Sequence, residues 1–240
     1  MSTERTFEAP SKQRLLAELR AVPEFWACRR ARESLRNLPP GDGHPVMVFP
    51  GLVASDRFTI MLRDSIATLG YPVVGWGLGI NVGLRRGLLE TMLTRIRIWS
   101  DRYGRKATLI GWSLGGLYAR EIAKRDPGRV RQVITLGTPS VGSLRANNAW
   151  RIYETLNDHK VDDVPIDSDL AKCPPVPITS IYSRDEGIVP PEAVILPKGA
   201  RRESIAVDGS HVGLPWNSQV IRIVLDRLAQ PEDKWKPYKA

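Results

Sequence analysis

The chain is poor in the features that most often announce a function. It has two cysteines, Cys28 and Cys173, in 240 residues. A secreted disulfide framework uses more, and this pair forms no metal-binding or redox spacing, so both are expected to be reduced bystanders. No segment approaches the ~18 uninterrupted apolar residues of a membrane span, and the stretch from Met1 to Pro10 has no apolar signal region. These absences point to a cytoplasmic protein. Internal repeats and low-complexity tracts are missing too. So are helix-turn-helix, zinc-finger and aromatic RNA-binding signatures, and the basic residues behind the net charge of +9 are scattered (Arg29, Arg30, Arg85, Arg120, Arg201). The charge is therefore read as solvated surface, with no nucleic-acid partner. With three histidines, any imidazole chemistry falls to His44, His159 or His211.

What is present suits one globular domain: 42% of residues are hydrophobic and 25% charged. Leu15, Leu16, Leu19, Val22, Phe25 and Trp26 recur at helical spacing, predicting one or two amphipathic helices over 11–36 within an N-terminal helical extension, 1–40. That face either packs on the rest of the protein or, beside Arg29, Arg30, Arg32 and Arg36, makes peripheral contact with an anionic membrane. From 41 to 240 short apolar runs alternate with helical patterns. They predict an α/β architecture, a three-layer α/β/α sandwich around a mostly parallel sheet. The interval from Thr138 to Pro177 breaks the rhythm. It predicts a small cap at about 143–175, with a short helix near Asn148 to Leu156 and then a polar, proline-rich stretch offering little apolar surface.

Gly111-Trp-Ser-Leu-Gly115 lies between an apolar run ending at Trp112 and a helical run starting at Leu114, where a nucleophile elbow belongs. Such a turn holds Ser113 on strained backbone and pushes its hydroxyl out of the fold. A serine hydroxyl is a weak nucleophile at neutral pH and needs a neutral imidazole to take its proton. His211, between glycines in a loop after an apolar strand, is the candidate base.

With Val48-Phe-Pro-Gly-Leu52, Tyr182-Ser-Arg-Asp-Glu-Gly-Ile-Val-Pro190 and Gly209-Ser-His-Val-Gly213, this elbow makes residues 44 to 230 resemble the α/β-hydrolase superfamily, and its small bacterial lipase and esterase-like members in particular. The resemblance implies the order nucleophile, acid, histidine, which the chain keeps. It places the acid at Glu186 by spacing, with the neighbouring Asp185 as the alternative. It also implies an oxyanion hole from the backbone N–H groups of Leu52 and Leu114. Many lipases carry histidine where this chain has Pro50 and Trp112.

The glycine-rich stretch Gly75 to Gly83 lacks dinucleotide spacing; Trp76 and Leu78 there, with Trp112, are expected to wall a compact acyl pocket. The expected protein is a serine hydrolase cleaving small-molecule carboxylic esters, lipid esters and thioesters among the candidates, through an acyl-enzyme, with no cofactor and no metal, and favouring short to medium acyl chains. An acyltransferase using the same residues and a noncatalytic binding protein are the alternatives.

Overall fold

The computed structural model describes residues 7–35, 39–166, 168–169 and 171–239. Helices α1 (Lys12–Ala17) and α2 (Ala21–Leu35) flank the 3₁₀ turn Glu18–Arg20. The chain then runs β1 (Val46–Phe49), α3 (Ile60–Thr68), β2 (Val73–Gly75), α4 (Leu88–Tyr103), β3 (Ala107–Trp112), α5 (Leu114–Arg125) and β4 (Val130–Leu136). It continues with α6 (Trp150–Leu156), β5 (Ile178–Ser183), α7 (Pro191–Val194), β6 (Arg202–Val207) and α8 (Ser218–Ala229). The six strands form one sheet in the order β2-β1-β3-β4-β5-β6. Every neighbouring pair is parallel.

β3 and β4 are buried along their whole length, as parallel strands covered on both faces must be. Successive side chains serve opposite layers. Val46, Val48, Ile110, Trp112 and Ile134 join a core with Leu62 and Ile66 of α3 and Val220 and Val224 of α8. Met47, Phe49, Leu109 and Val133 join the other core, with Met92 and Ile96 of α4 and Ile122 of α5. Each fully buried aliphatic side chain here stabilises the fold by roughly 1.5–3 kcal/mol. Cys28 sits in the first core and Cys173 in the second, so the sheet keeps the two thiols apart.

The helices that cover the sheet are delimited by local chemistry. Gly87 and Gly104 bound α4 at φ 77° and 59°, the left-handed conformation that glycine adopts without a Cβ penalty. Asn217 caps α8, its side chain accepting from the N–H groups of Gln219 and Val220.

At the amino ends of the strands His44 is fully buried. Its Nδ1 meets Asp42 at 2.5 Å and its Nε2 meets Thr108 Oγ1 at 2.8 Å. Arg131 and Arg105 bind the same Asp42 carboxylate. Burial lowers the His44 pKa to about 4, although Asp42 pulls the other way. This histidine is a neutral structural group at the end opposite the elbow.

The chain leaves β1 for the edge strand β2 and returns to β3 on the other side of β1. Loops diverge at such a reversal and leave a crevice at the carboxyl ends of the strands. Phe49 pairs in register with Gly111, so the Pro50–Leu52 loop and Ser113 emerge side by side. The N-terminal helices pack onto the domain: Phe25 meets Trp216 edge-on at 5.8 Å, and Trp216 Nε1 donates to Ala21 O at 3.1 Å. Their outer side leaves Leu16, Leu19, Val22 and Trp26 exposed; Arg36 lies outside the described residues. Among the described residues no helix is long and apolar enough to cross a membrane.

Candidate active site

Ser113 caps α5 at φ 53° and ψ −121°, a conformation that costs a residue with a Cβ on the order of 1–3 kcal/mol. Three hydrogen bonds hold it there. Its N–H donates to Leu136 O at 2.8 Å, and its carbonyl accepts from Gly116 N–H at 3.0 Å and Thr138 Oγ1 at 2.8 Å. A Cβ at Gly111 would collide with Gly115 and Gly116, and one at Gly115 with the carbonyl of Phe49. The two glycines flanking the serine therefore let the turn fold against its own helix and against β1.

Glu186 follows β5 and His211 follows β6. His211 Nδ1 is in close hydrogen-bond contact with Glu186 Oε2, and both side chains are buried. Asp185 points outward and is exposed, so Glu186 is the residue that pairs with the imidazole. The ring lies against Gly137, just past the end of β4, one strand from Ser113. Burial disfavours the imidazolium, but the adjacent Glu186 carboxylate outweighs it and holds the His211 pKa above its ordinary value, with Glu18 adding in the same direction. Burial in turn pushes the Glu186 pKa up, against the pull of His211. Among the described residues no hydrogen bond joins Ser113 Oγ to the ring, and Ser113 opens onto a cavity of about 490 Å³.

Leu52 and Leu114 line that cavity beside Ser113, and neither N–H donates to another described residue. The loop carrying Leu52 is strained, with Val53 at φ 59°, and Asn81 staples it. The Asn81 carbonyl accepts from Val53 N–H at 2.7 Å, its N–H donates to Ala54 O at 2.8 Å, and its Nδ2 donates to Pro50 O at 2.8 Å. Asn81 is fully buried, and the sequence offers no sign of this role.

The side chains expected to wall the pocket do not line it. Trp112 shares the strand face of Ile110 and points into the core under α3 and α8, where its Nε1 donates to His211 O at 3.0 Å. Trp76 is buried against Tyr118, rings stacked at 6.4 Å, and Leu78 packs beside the same core. The cavity wall comes instead from Leu84, Leu117 and the cap, which contributes Tyr153, Val161, Val164 and Ile166. The polar stretch after α6 thus turns its few apolar residues inward, and Asp162, paired with Arg145, lines the cavity beside them. His159 belongs to the cap as well and pairs with Tyr153 OH at 2.8 Å. Among the described residues no three His, Cys, Asp or Glu side chains converge as a metal site requires.

No protein-family model matches the chain. A 63-residue stretch is 43% identical to the biotin biosynthesis bifunctional protein BioHC of Teredinibacter turnerae, covering 26% of this chain and 10% of that protein; the chain thus matches only a small part of this relative's length. Among solved structures, naproxen esterase (carboxylesterase NP) from Bacillus subtilis superposes with a TM-score of 0.56 at 16% identity, over 86% of this chain and 97% of that one. The monoacylglycerol lipase of Paleococcus ferrophilus gives 0.57 at 15%, over 80% and 96%. Carboxylesterase CesB (YbfK) from Bacillus subtilis gives 0.56 at 13%, over 86% and 97%. With its parallel sheet, its strand order and its serine elbow after β3, the chain has the α/β-hydrolase fold.

Proposed function

We propose that the chain is a serine hydrolase of carboxylic esters that works through an acyl-enzyme. The observation that carries this reading is a strained, cavity-facing Ser113 at the same end of the sheet as an imidazole already paired with a buried carboxylate. The solved structures it resembles are named as esterases and a lipase, in keeping with an ester carbonyl as the target.

Ser113 Oγ adds to the carbonyl carbon while its proton passes to His211 Nε2, and the carbonyl π pair moves onto oxygen. The N–H groups of Leu52 and Leu114 meet that oxyanion. Collapse expels the alcohol, protonated by His211; water then attacks with His211 again as base, releasing the acid and restoring the serine. Glu186 orients Nδ1–H and offsets the imidazolium charge without itself being protonated.

The cavity of about 490 Å³ lies within the usual range of roughly 300–1,000 Å³ for small-molecule sites. Its lining is mostly apolar but includes the carboxylates of Glu121 and Asp162, and no Lys, Arg or His lines it among the described residues. That favours an uncharged acyl group of short to medium length, each buried methylene adding ~0.8 kcal/mol until the space is full.

The test is labelling with a fluorophosphonate probe. Ser113 should be modified stoichiometrically, and Ser113→Ala should abolish labelling and lower ester turnover by up to ~10⁶-fold. kcat/KM should rise with pH along a limb set by His211 and lying above the ordinary imidazole value, because Glu186 favours the charged ring. Stoichiometric labelling of another serine would refute the assignment.

A further inference from the structure

On the reading that Ser113, His211 and Glu186 act together, we propose that Glu18 is a positioning residue that locks the acid loop and the histidine loop into one unit. Glu18 lies in the 3₁₀ turn between α1 and α2 and is buried. Its Oε1 accepts from Gly187 N–H at 2.6 Å and from His211 N–H at 3.1 Å, and its Oε2 accepts from Val212 N–H at 2.9 Å. One carboxylate therefore holds the residue after the acid, the histidine itself and the residue after the histidine.

Arg20, two positions on, completes the clamp with the opposite polarity. Its Nη2 donates to Asp185 O at 2.9 Å and to Gly209 O at 2.6 Å, the carbonyls just ahead of the acid and ahead of the histidine. Glu24 takes Ser210 N–H at 2.9 Å. Acceptor and donor thus grip both loops from one short segment, through charge-assisted bonds that are about twice as strong as neutral ones. Seating the helices does not need these charges, because Ala21, Phe25 and Cys28 already pack into the core. The contact is close as well: a Cβ at Gly187 would strike the backbone of Arg14 and Leu15.

The clamp also places a second negative charge near the imidazole. The charged groups facing His211 are Glu186 and Glu18, with Glu24 and Arg20 of the N-terminal segment bonded to the backbone of the histidine loop and the exposed Asp185 beyond Glu186. Glu18 acts with Glu186 in raising the His211 pKa. Removing its charge should move that titration down.

The experiment compares the full-length protein with Glu18→Gln and Glu18→Asp. The imidazole titrations are followed by NMR on isotope-labelled histidine, the three signals being resolved with His211→Ala. kcat and KM for a p-nitrophenyl ester are measured per serine labelled by the fluorophosphonate. Glu18→Gln should shift the His211 titration to lower pH and cut kcat per labelled serine by up to about 10²-fold, with KM nearly unchanged, as misplacement of a reacting group does. Glu18→Asp should keep the titration close to wild type but lower kcat, because the shorter arm does not reach both loops; it decides alone if the glutamine variant does not fold. Wild-type titration and wild-type kcat per labelled serine in the variants, whatever their Tm, overturn the proposal. If the wild type neither labels nor turns over ester, the hydrolase reading fails instead, and the imidazole titration still decides for or against Glu18.

Discussion

Exchanging Glu186 for glutamine should separate catalysis from stability. The carboxylate is buried, with Oε2 on His211 Nδ1 and Oε1 without a partner among the described residues. Glu186→Gln keeps the volume and removes the charge. The amide then either accepts from Nδ1–H, leaving the imidazolium unbalanced, or donates to Nδ1 and imposes the wrong tautomer on the base. Loss of the equivalent acid in a serine triad can cost ~10⁴-fold in kcat, about 5.5 kcal/mol of transition-state stabilisation. Stability responds differently. A buried, half-satisfied charge disappears, but the amide NH₂ inherits the unpartnered position, and an unsatisfied polar group costs about 1–3 kcal/mol. The two effects oppose each other, so the urea midpoint should move little. Asp185→Asn, at an exposed side chain, should change kcat less than twofold, on the scale of a surface substitution. Steady-state kinetics on p-nitrophenyl butyrate, normalised to labelled serine, with parallel urea denaturation, reads both outcomes. A thousandfold loss in Asp185→Asn beside near-normal Glu186→Gln would refute the reasoning and transfer the acid role to the neighbour.

Acid should weaken the fold through His44. Its folded pKa of about 4 lies below its ordinary 6.5, so the unfolded chain takes up the proton first. Stability therefore rises with pH through this window and is lost as pH falls from 6.5 to 4, by roughly 3 kcal/mol. His44→Gln should flatten that slope in urea titrations at pH 4.5 and 7, and an unchanged slope would clear His44 of the effect. In the cavity, Val164→Trp should leave acetate and butyrate esters near wild type while lowering kcat/KM for longer chains, by about fourfold per excluded methylene at ~0.8 kcal/mol each. A uniform loss at all lengths, or a wild-type preference that climbs steadily to C16, would show that the acyl chain lies elsewhere.

The legibility of the sequence follows the range of the forces involved. The sheet can be read because β3 and β4, covered on both faces, need continuous apolar runs. The elbow can be read because glycine spacing dictates a local turn. Asp185 and Glu186 are adjacent in a loop, and only the fold decides which side chain is inside. The wall residues fail for the same reason: the strand period sends Trp112 to the layer away from the cavity, and Trp76 closes on Tyr118 instead. Val161, Val164 and Ile166 carry no periodicity among their acidic and proline neighbours, so only the folded cap reveals their inward face. Asn81 and Glu18 act through backbone N–H and C=O groups of distant loops, which leaves no signature in either the donor or the acceptor sequence.

The clamp of Glu18 spans sequence separations of 169, 193 and 194 residues. Closing a contact of that span costs roughly 2–3 kcal/mol more entropy than closing a ten-residue loop, and the cost falls due before the contact exists. During assembly the turn at residue 18 has no partners until the loops after β5 and β6 are in place. Joining them is then among the longest-range events in the molecule. The same connection exposes the pairing of acid and histidine to local opening, since releasing one short helical segment unfastens both loops while the buried strands stay folded.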